Sequence, residues 1–96
     1  MDNTEILDKL AAFSKLYQKK YGFGRIGVFG SFARGTANEH SDVDIMVEKM
    51  KPDMFLLGNI KCDLEKEFGR KVDIVRIRDR MNSFLKKRID REGIYV

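Results

Sequence analysis

Two short stretches decide how the chain folds: Gly30-Ser31-Phe32-Ala33-Arg34-Gly35 and Asp42-Val43-Asp44-Ile45-Met46-Val47-Glu48. In the second, Val43, Ile45 and Val47 fall on one face and Asp42 and Asp44 on the other, because strand side chains alternate. That is a strand with one apolar face and one acidic one. The first stretch follows Arg25-Ile26-Gly27-Val28-Phe29, a short apolar run bracketed by Gly24 and Gly30, which predicts a buried strand. Ser31 to Arg34 then reads as a single helical turn ended by Gly35, and the polar run from Thr36 to Ser41 as a loop.

Upstream, Ile6, Leu7, Leu10, Phe13, Leu16 and Tyr17 recur three and four apart, so Asn3 to about Lys20 forms an amphipathic helix with Asn3 or Thr4 as its cap. Downstream, Pro52 fits the start of a helix whose stripe is Met54, Phe55, Leu56, Leu57, Ile60, Leu64 and Phe68, ending at Gly69. Lys71 to Ile77 is rich in β-branched residues and predicts a further strand. Asn82 caps a last helix with Phe84, Leu85 and Ile89 on its apolar side and Gly93 at its end. The order is helix, strand, turn, strand, helix, strand, helix, an α+β arrangement with three strands.

The 96 residues make one small domain, residues 1–96, with 43% hydrophobic and 35% charged residues, a single Pro and no biased tract. This is the composition of a soluble globular protein. No run approaches the roughly 20 apolar residues that span a bilayer, and the N-terminus lacks the pattern of a signal peptide, so no membrane role and a cytoplasmic location are expected. Cys62 stands alone, which excludes a disulfide framework and, with only His40 to assist, a Cys/His zinc site; it reads as a small core or helix-surface residue. The net charge of +4 includes clusters at Lys19-Lys20 and at Lys86-Lys87-Arg88 with Arg91. They suit phosphate-bearing or acidic partners, but basic runs near helix ends more often form a solvated face, so nucleic acid is a less favoured partner.

The chemistry concentrates in the two opening stretches. Where a strand meets a helical turn, backbone N–H groups point outward and can receive an anion. Gly30 allows close approach there, the Ser31 hydroxyl can donate to a phosphate oxygen, and Arg34 can add charge from the same side. Asp42 and Asp44 share one strand face, and Asp73 in the next strand can turn the same way, so the carboxylates converge. Such a cluster repels itself unless a cation is present, and magnesium prefers oxygen ligands of this kind. Taken singly, each motif is weak: Ser31 could merely cap a turn, and surface strands often expose alternating acids. His40 in the loop reads as solvated, Ser41 as bonding locally, and Tyr17, Tyr21 and Tyr95 as core or interface residues.

Together, Gly30-Ser31, the segment Phe32 to Ser41, Asp42-Val43-Asp44 and Asp73 resemble the minimal nucleotidyltransferase family of the DNA polymerase beta-like superfamily. Nearly the whole chain is covered by the resemblance. It implies a mixed sheet flanked by helices, with Mg2+ and a nucleoside triphosphate, expected to be ATP, bound at the site. By the same resemblance Asp42 and Asp44 hold the metal, Gly30 and Ser31 hold the triphosphate, and Arg34 is a further nucleotide-binding residue. Asp73 completes the metal site and accepts the acceptor's proton. The family further implies a HEPN-domain protein as partner, and an antitoxin that transfers AMP to a tyrosine of that protein. Transfer to RNA or a small molecule, or a non-catalytic module that neutralises its partner by contact, are the competing expectations. The acceptor surface is expected on another molecule, since the chain ends directly after its last helix.

Overall fold

The computed structural model describes residues 2–96. In chain order the elements are α1 (Asn3–Tyr21), β1 (Arg25–Phe29), α2 (Gly30–Arg34), β2 (Val43–Glu48), α3 (Met54–Phe68), β3 (Val72–Arg76), α4 (Ser83–Glu92) and β4 (Ile94–Tyr95). The strands lie in the order β3-β2-β1-β4, so the sheet has four strands and not the expected three. It is mixed: β1 runs antiparallel to β2 and β4, while β2 and β3 are parallel.

The strand that the sequence hides is two residues long, too short for any periodicity to announce. Gly93 ends α4 in an extended conformation, and Ile94 and Tyr95 then pair with Val28 and Gly27. A Cβ at Gly27 would stand 2.5 Å from the Ile94 carbonyl oxygen and 2.6 Å from Met46 Cε, and one at Gly93 would stand 2.6 Å from the same methyl. Met46 therefore fills the space that two glycines leave, and the chain end docks on it. Tyr95 closes the edge by donating to Glu48 Oε2 at 3.3 Å while the Arg25 guanidinium, itself bonded to Glu48, stacks 3.8 Å above its ring. Of the tyrosines expected in core or interface, this one is a clasp.

The helix caps follow elementary chemistry with small shifts from expectation. Asp2, and not Asn3 or Thr4, caps α1 by accepting from Glu5 N–H at 3.0 Å. Asp53 caps α3 through Leu56 N–H, which leaves Pro52 just ahead of the helix instead of at its first position. A carboxylate can satisfy an orphan N–H and proline cannot, which decides the start of α3. Ile60, Leu64 and Phe68 are the buried line of α3, and Ile89 that of α4. Leu16, Met54, Phe55 and Phe84, expected on apolar faces, fall off those lines and are 74 to 87% exposed. Cys62 is exposed on α3.

The sheet is covered on both faces, unequally. Ile26, Val28, Val43, Ile45, Val47 and Val72 pack against Ile6, Leu10, Phe13, Ile60, Leu64 and Phe68 of α1 and α3, forming the main core, with Phe32 of α2 inserted into it. On the opposite face Phe29 and Met46 meet Ile89 of α4, with Val75, Leu85 and Tyr95 around them. By alternation, Asp44 and Asp73 belong to this second, thinly covered face. Tyr21 ties α1 to α3, its hydroxyl donating to Asp63 Oδ2 at 2.6 Å.

Replacing Gly27 by Ala should displace β4, costing about 1–3 kcal/mol as overpacking does. Urea denaturation reads the loss, and faster exchange of the Val96 amide, which donates to Ile26 O at 3.1 Å, locates it. The Tyr21 hydroxyl, held by the Asp63 hydrogen bond and by burial, ionises only at about 12 against an ordinary 10.0. A raised folded value stabilises the fold below pH about 10, and that stabilisation disappears as pH rises through about 12. Burial and the Glu48 charge raise the Tyr95 phenol as well, so ultraviolet titration should show a phase near pH 12 that Tyr21→Phe removes while the Tyr95 phase stays; an unchanged late phase would place the effect elsewhere.

Candidate active site

The site assembles because three chain segments end at the same corner of the sheet. Phe29, last residue of β1, lies opposite Asp44 of β2, and Asp44 lies beside Asp73 in the parallel β2–β3 register. The chain turns at Gly30 with φ +73°, a left-handed conformation that costs any residue with a Cβ, and enters α2. A Cβ there would also run into the Asp44 carboxylate, so glycine is required twice over. Ser31 follows, half-buried, and Phe32 anchors the turn in the core.

Gly30, Ser31, Asp44 and Asp73 are thus brought together as the sequence suggested. Asp42 stands one residue before β2 begins and is exposed, so it borders the site from the loop instead of from the strand. That loop is pinned by Arg70, whose Nη1 reaches the carbonyl oxygens of Asn38, Glu39 and Ser41, each at 3.1 Å. Ser41 bonds locally, its Oγ accepting from Asn38 N–H at 2.9 Å, and His40 is exposed, both as expected.

Burial pushes the Asp44 carboxyl above the usual carboxylate range; the Asp73 and Asp42 charges push the same way, while Arg88 and Arg34 oppose them. The acids are therefore close enough to repel, and two arginines stand close enough to moderate that repulsion. Among the described residues no three Asp, Glu, His or Cys side chains form a ready set of metal ligands. What is preformed is the pair Asp44 and Asp73, with Asp42 at its border. The donor chemistry suits a hard divalent cation, since these are oxygen ligands whose mutual repulsion such an ion would relieve.

Arg34 is already paired within the fold. Its Nη1 binds Glu92 Oε2 at 2.7 Å, at the end of α4. Arg88 Nε lies 3.7 Å from the other oxygen of the same carboxylate, and Arg91 3.8 Å from it. Burial works to raise the pKa of Glu92, but the Arg34 hydrogen bond, the Arg34 and Arg88 charges and the Gly30 N–H outweigh it and hold the carboxyl below its ordinary value. Sequence reasoning missed Glu92 and treated Arg88 only as part of a solvated face. A signal was present: an acid in the last turn of a helix has the wrong sign for the dipole, so something else must hold it there.

A depressed folded value means that Glu92 stabilises the fold above the ordinary carboxylate range and ceases to as pH falls through the lower folded value. Melting temperature followed from about pH 5 down to about pH 3 should therefore fall less steeply for Glu92→Gln than for the unaltered protein. Parallel curves would show that the charge of Glu92 contributes nothing.

Comparison with known proteins gives the same picture. The family model described as "Polymerase beta, Nucleotidyltransferase" matches residues 13–96. The protein adenylyltransferase MntA of Thermococcus cleftensis is 38% identical over 93 residues, covering 96% of this chain and 93% of its own. A solved structure, provisionally described as a minimal nucleotidyltransferase, is 34% identical and superposes with a TM-score of 0.80 over 98% of this chain and 95% of its own. The MNT antitoxin structure solved with the tri-AMPylated HEPN toxin of Shewanella oneidensis shares the fold, at 20% identity and a TM-score of 0.67, over 91% of this chain and 67% of the matched chain. A sheet corner that sets Gly30 against Asp44 and Asp44 against Asp73, in a chain matched by that family model through its last residue, has one reading: the chain belongs to the polymerase beta nucleotidyltransferase family and is a nucleotidyltransferase.

Proposed function

We propose that this nucleotidyltransferase is a magnesium-dependent antitoxin that transfers AMP from ATP to a hydroxyl of a HEPN-type protein partner. The observation that carries the reading is the contact of Gly30 with Asp44, itself in register with Asp73, which puts a close-approach backbone and paired carboxylates within one site. The choice of AMP and of a HEPN partner is supported by the relatives: one is named a protein adenylyltransferase, and another was solved with an AMPylated HEPN toxin.

In this reading Asp42, Asp44 and Asp73 would hold the metal, which when bound would neutralise charge on the phosphates and lower the pKa of the attacking hydroxyl. Gly30 and Ser31 receive the triphosphate along the α2 turn. The acceptor oxygen bonds to the α-phosphorus, the bond from that phosphorus to the bridging oxygen breaks, and pyrophosphate leaves with the electron pair. Asp73, the more exposed of the paired carboxylates, takes the hydroxyl proton. Arg34 and Arg88, fixed by Glu92, face the same corner and offset the negative charge that the triphosphate brings.

Incubation with magnesium, ATP labelled at the α-phosphate and a HEPN-domain partner should move label onto that protein and not onto RNA added in its place. Asp44→Asn should reduce transfer to background and abolish the rise in melting temperature that magnesium and ATP give the unaltered protein. Gly30→Ala should cost about 10²-fold, the scale expected when reacting groups are displaced by about 1 Å. Absence of label transfer under every nucleotide would leave a contact-only module as the better reading.

A further inference from the structure

A groove of about 610 Å³ runs along the outer edge of β3, away from the carboxylate corner. Its floor is aliphatic: Ile74 and Leu57, which pack toward the main core, and Val75 and Leu85, which pack toward α4. It therefore straddles both faces of the sheet at its edge, a shape for a chain segment laid across it. Met54 stands on its border at 83% exposure. Phe55 and Phe84 are exposed as well but do not line the groove. A large apolar side chain left in water on the rim of an aliphatic groove marks an interaction surface.

The charge at the groove says what kind. Lys61, Arg76 and Arg78 line it, and among the described residues none of them pairs with a carboxylate. The acid there, Asp53, is committed to capping α3. Strand addition is blocked at both ends of the edge, since Glu65 takes the Val72 N–H and Arg78 takes the Arg76 carbonyl. A second copy of this chain would bring the same unpaired cations face to face. Single-stranded nucleic acid would want aromatic platforms, and no aromatic ring lines the floor. Ile74, on the groove floor, directly follows Asp73 in β3, so the groove and the paired carboxylates share one strand.

We propose that the β3-edge groove docks an acidic segment bearing large apolar side chains, belonging to the protein that accepts the nucleotide. The identification of the occupant as acceptor rests on the protein-transfer reading above; the chemistry of the groove does not.

A random copolymer of glutamate and tyrosine serves as the probe, with polyglutamate, polyuridylate RNA and buffer as its comparisons. In ¹⁵N-labelled protein the copolymer should shift the amides of Leu57, Lys61, Ile74, Arg78 and Leu85, and bind at least about tenfold more tightly than polyglutamate. Lys61→Glu with Arg78→Glu, and separately Met54→Ser, all at exposed positions, should each weaken the copolymer at least about tenfold while magnesium–ATP binding is unchanged. Equal binding of polyglutamate, tighter binding of RNA, shifts confined to other surfaces, no binding at all, or sedimentation as a dimer through this edge would overturn the groove assignment. Copolymer binding as expected, but with no ATP-dependent transfer to any protein, would instead sink the transfer reading and leave the groove standing.

Discussion

The parallel register of β2 and β3 is the constraint on which everything else depends. Val43, Ile45 and Val47 enter the main core with Val72, and that commitment forces Asp44 and Asp73 onto the other face, side by side. A slip of one residue in either strand would drive its carboxylate into an apolar core and expose the apolar side chains that it now buries. Charged groups without partners cannot be buried at bearable cost, so the hydrophobic pattern and the acids specify the same register. The core thus positions the site without containing any of it.

The second face is built on different terms. Its apolar cluster is small, with Phe29, Met46 and Ile89 as its buried members, and polar contacts supplement it. Glu92 draws Arg34, Arg88 and Arg91 to one carboxylate, joining α4 to α2, while Arg25, Glu48 and Tyr95 secure β4. Arg34 and Arg88 also temper the Asp44 charge, so the same side chains serve the packing of α4 and the electrostatics of the corner. The division suits a binding surface. A thinly covered face can admit a ligand, where the α1 and α3 face could not.

Much of this was legible in the sequence, and the failures have physical causes. The strand alternation of Val43 to Val47, the glycine stop at Gly30 and the β-branched run around Asp73 each rest on local rules, and they delivered the strands and the convergence of Gly30, Ser31, Asp44 and Asp73. β4 escaped because its two residues pair through a close approach that Gly27 and Gly93 permit, and close approach is a tertiary fact with no period. The Arg34–Glu92 pair escapes because its members lie 58 positions apart. Met54, Phe55 and Phe84 counted as helix faces because composition alone cannot tell the buried stripe of a helix from apolar residues beside it.

Of those exposed residues, Met54 stands on the rim of the β3-edge groove. An enzyme that modifies a macromolecule must bind it at some distance from the reacting atoms, because binding energy from remote contacts is what orients the acceptor. The carboxylate corner offers little apolar surface for that purpose, being lined by acids, a glycine turn and arginines already engaged by Glu92. The β3 edge offers what the corner lacks: an aliphatic floor and cations that, among the described residues, pair with no carboxylate. Since one strand carries both Asp73 and the groove, the register that places the carboxylates also fixes their distance from the groove.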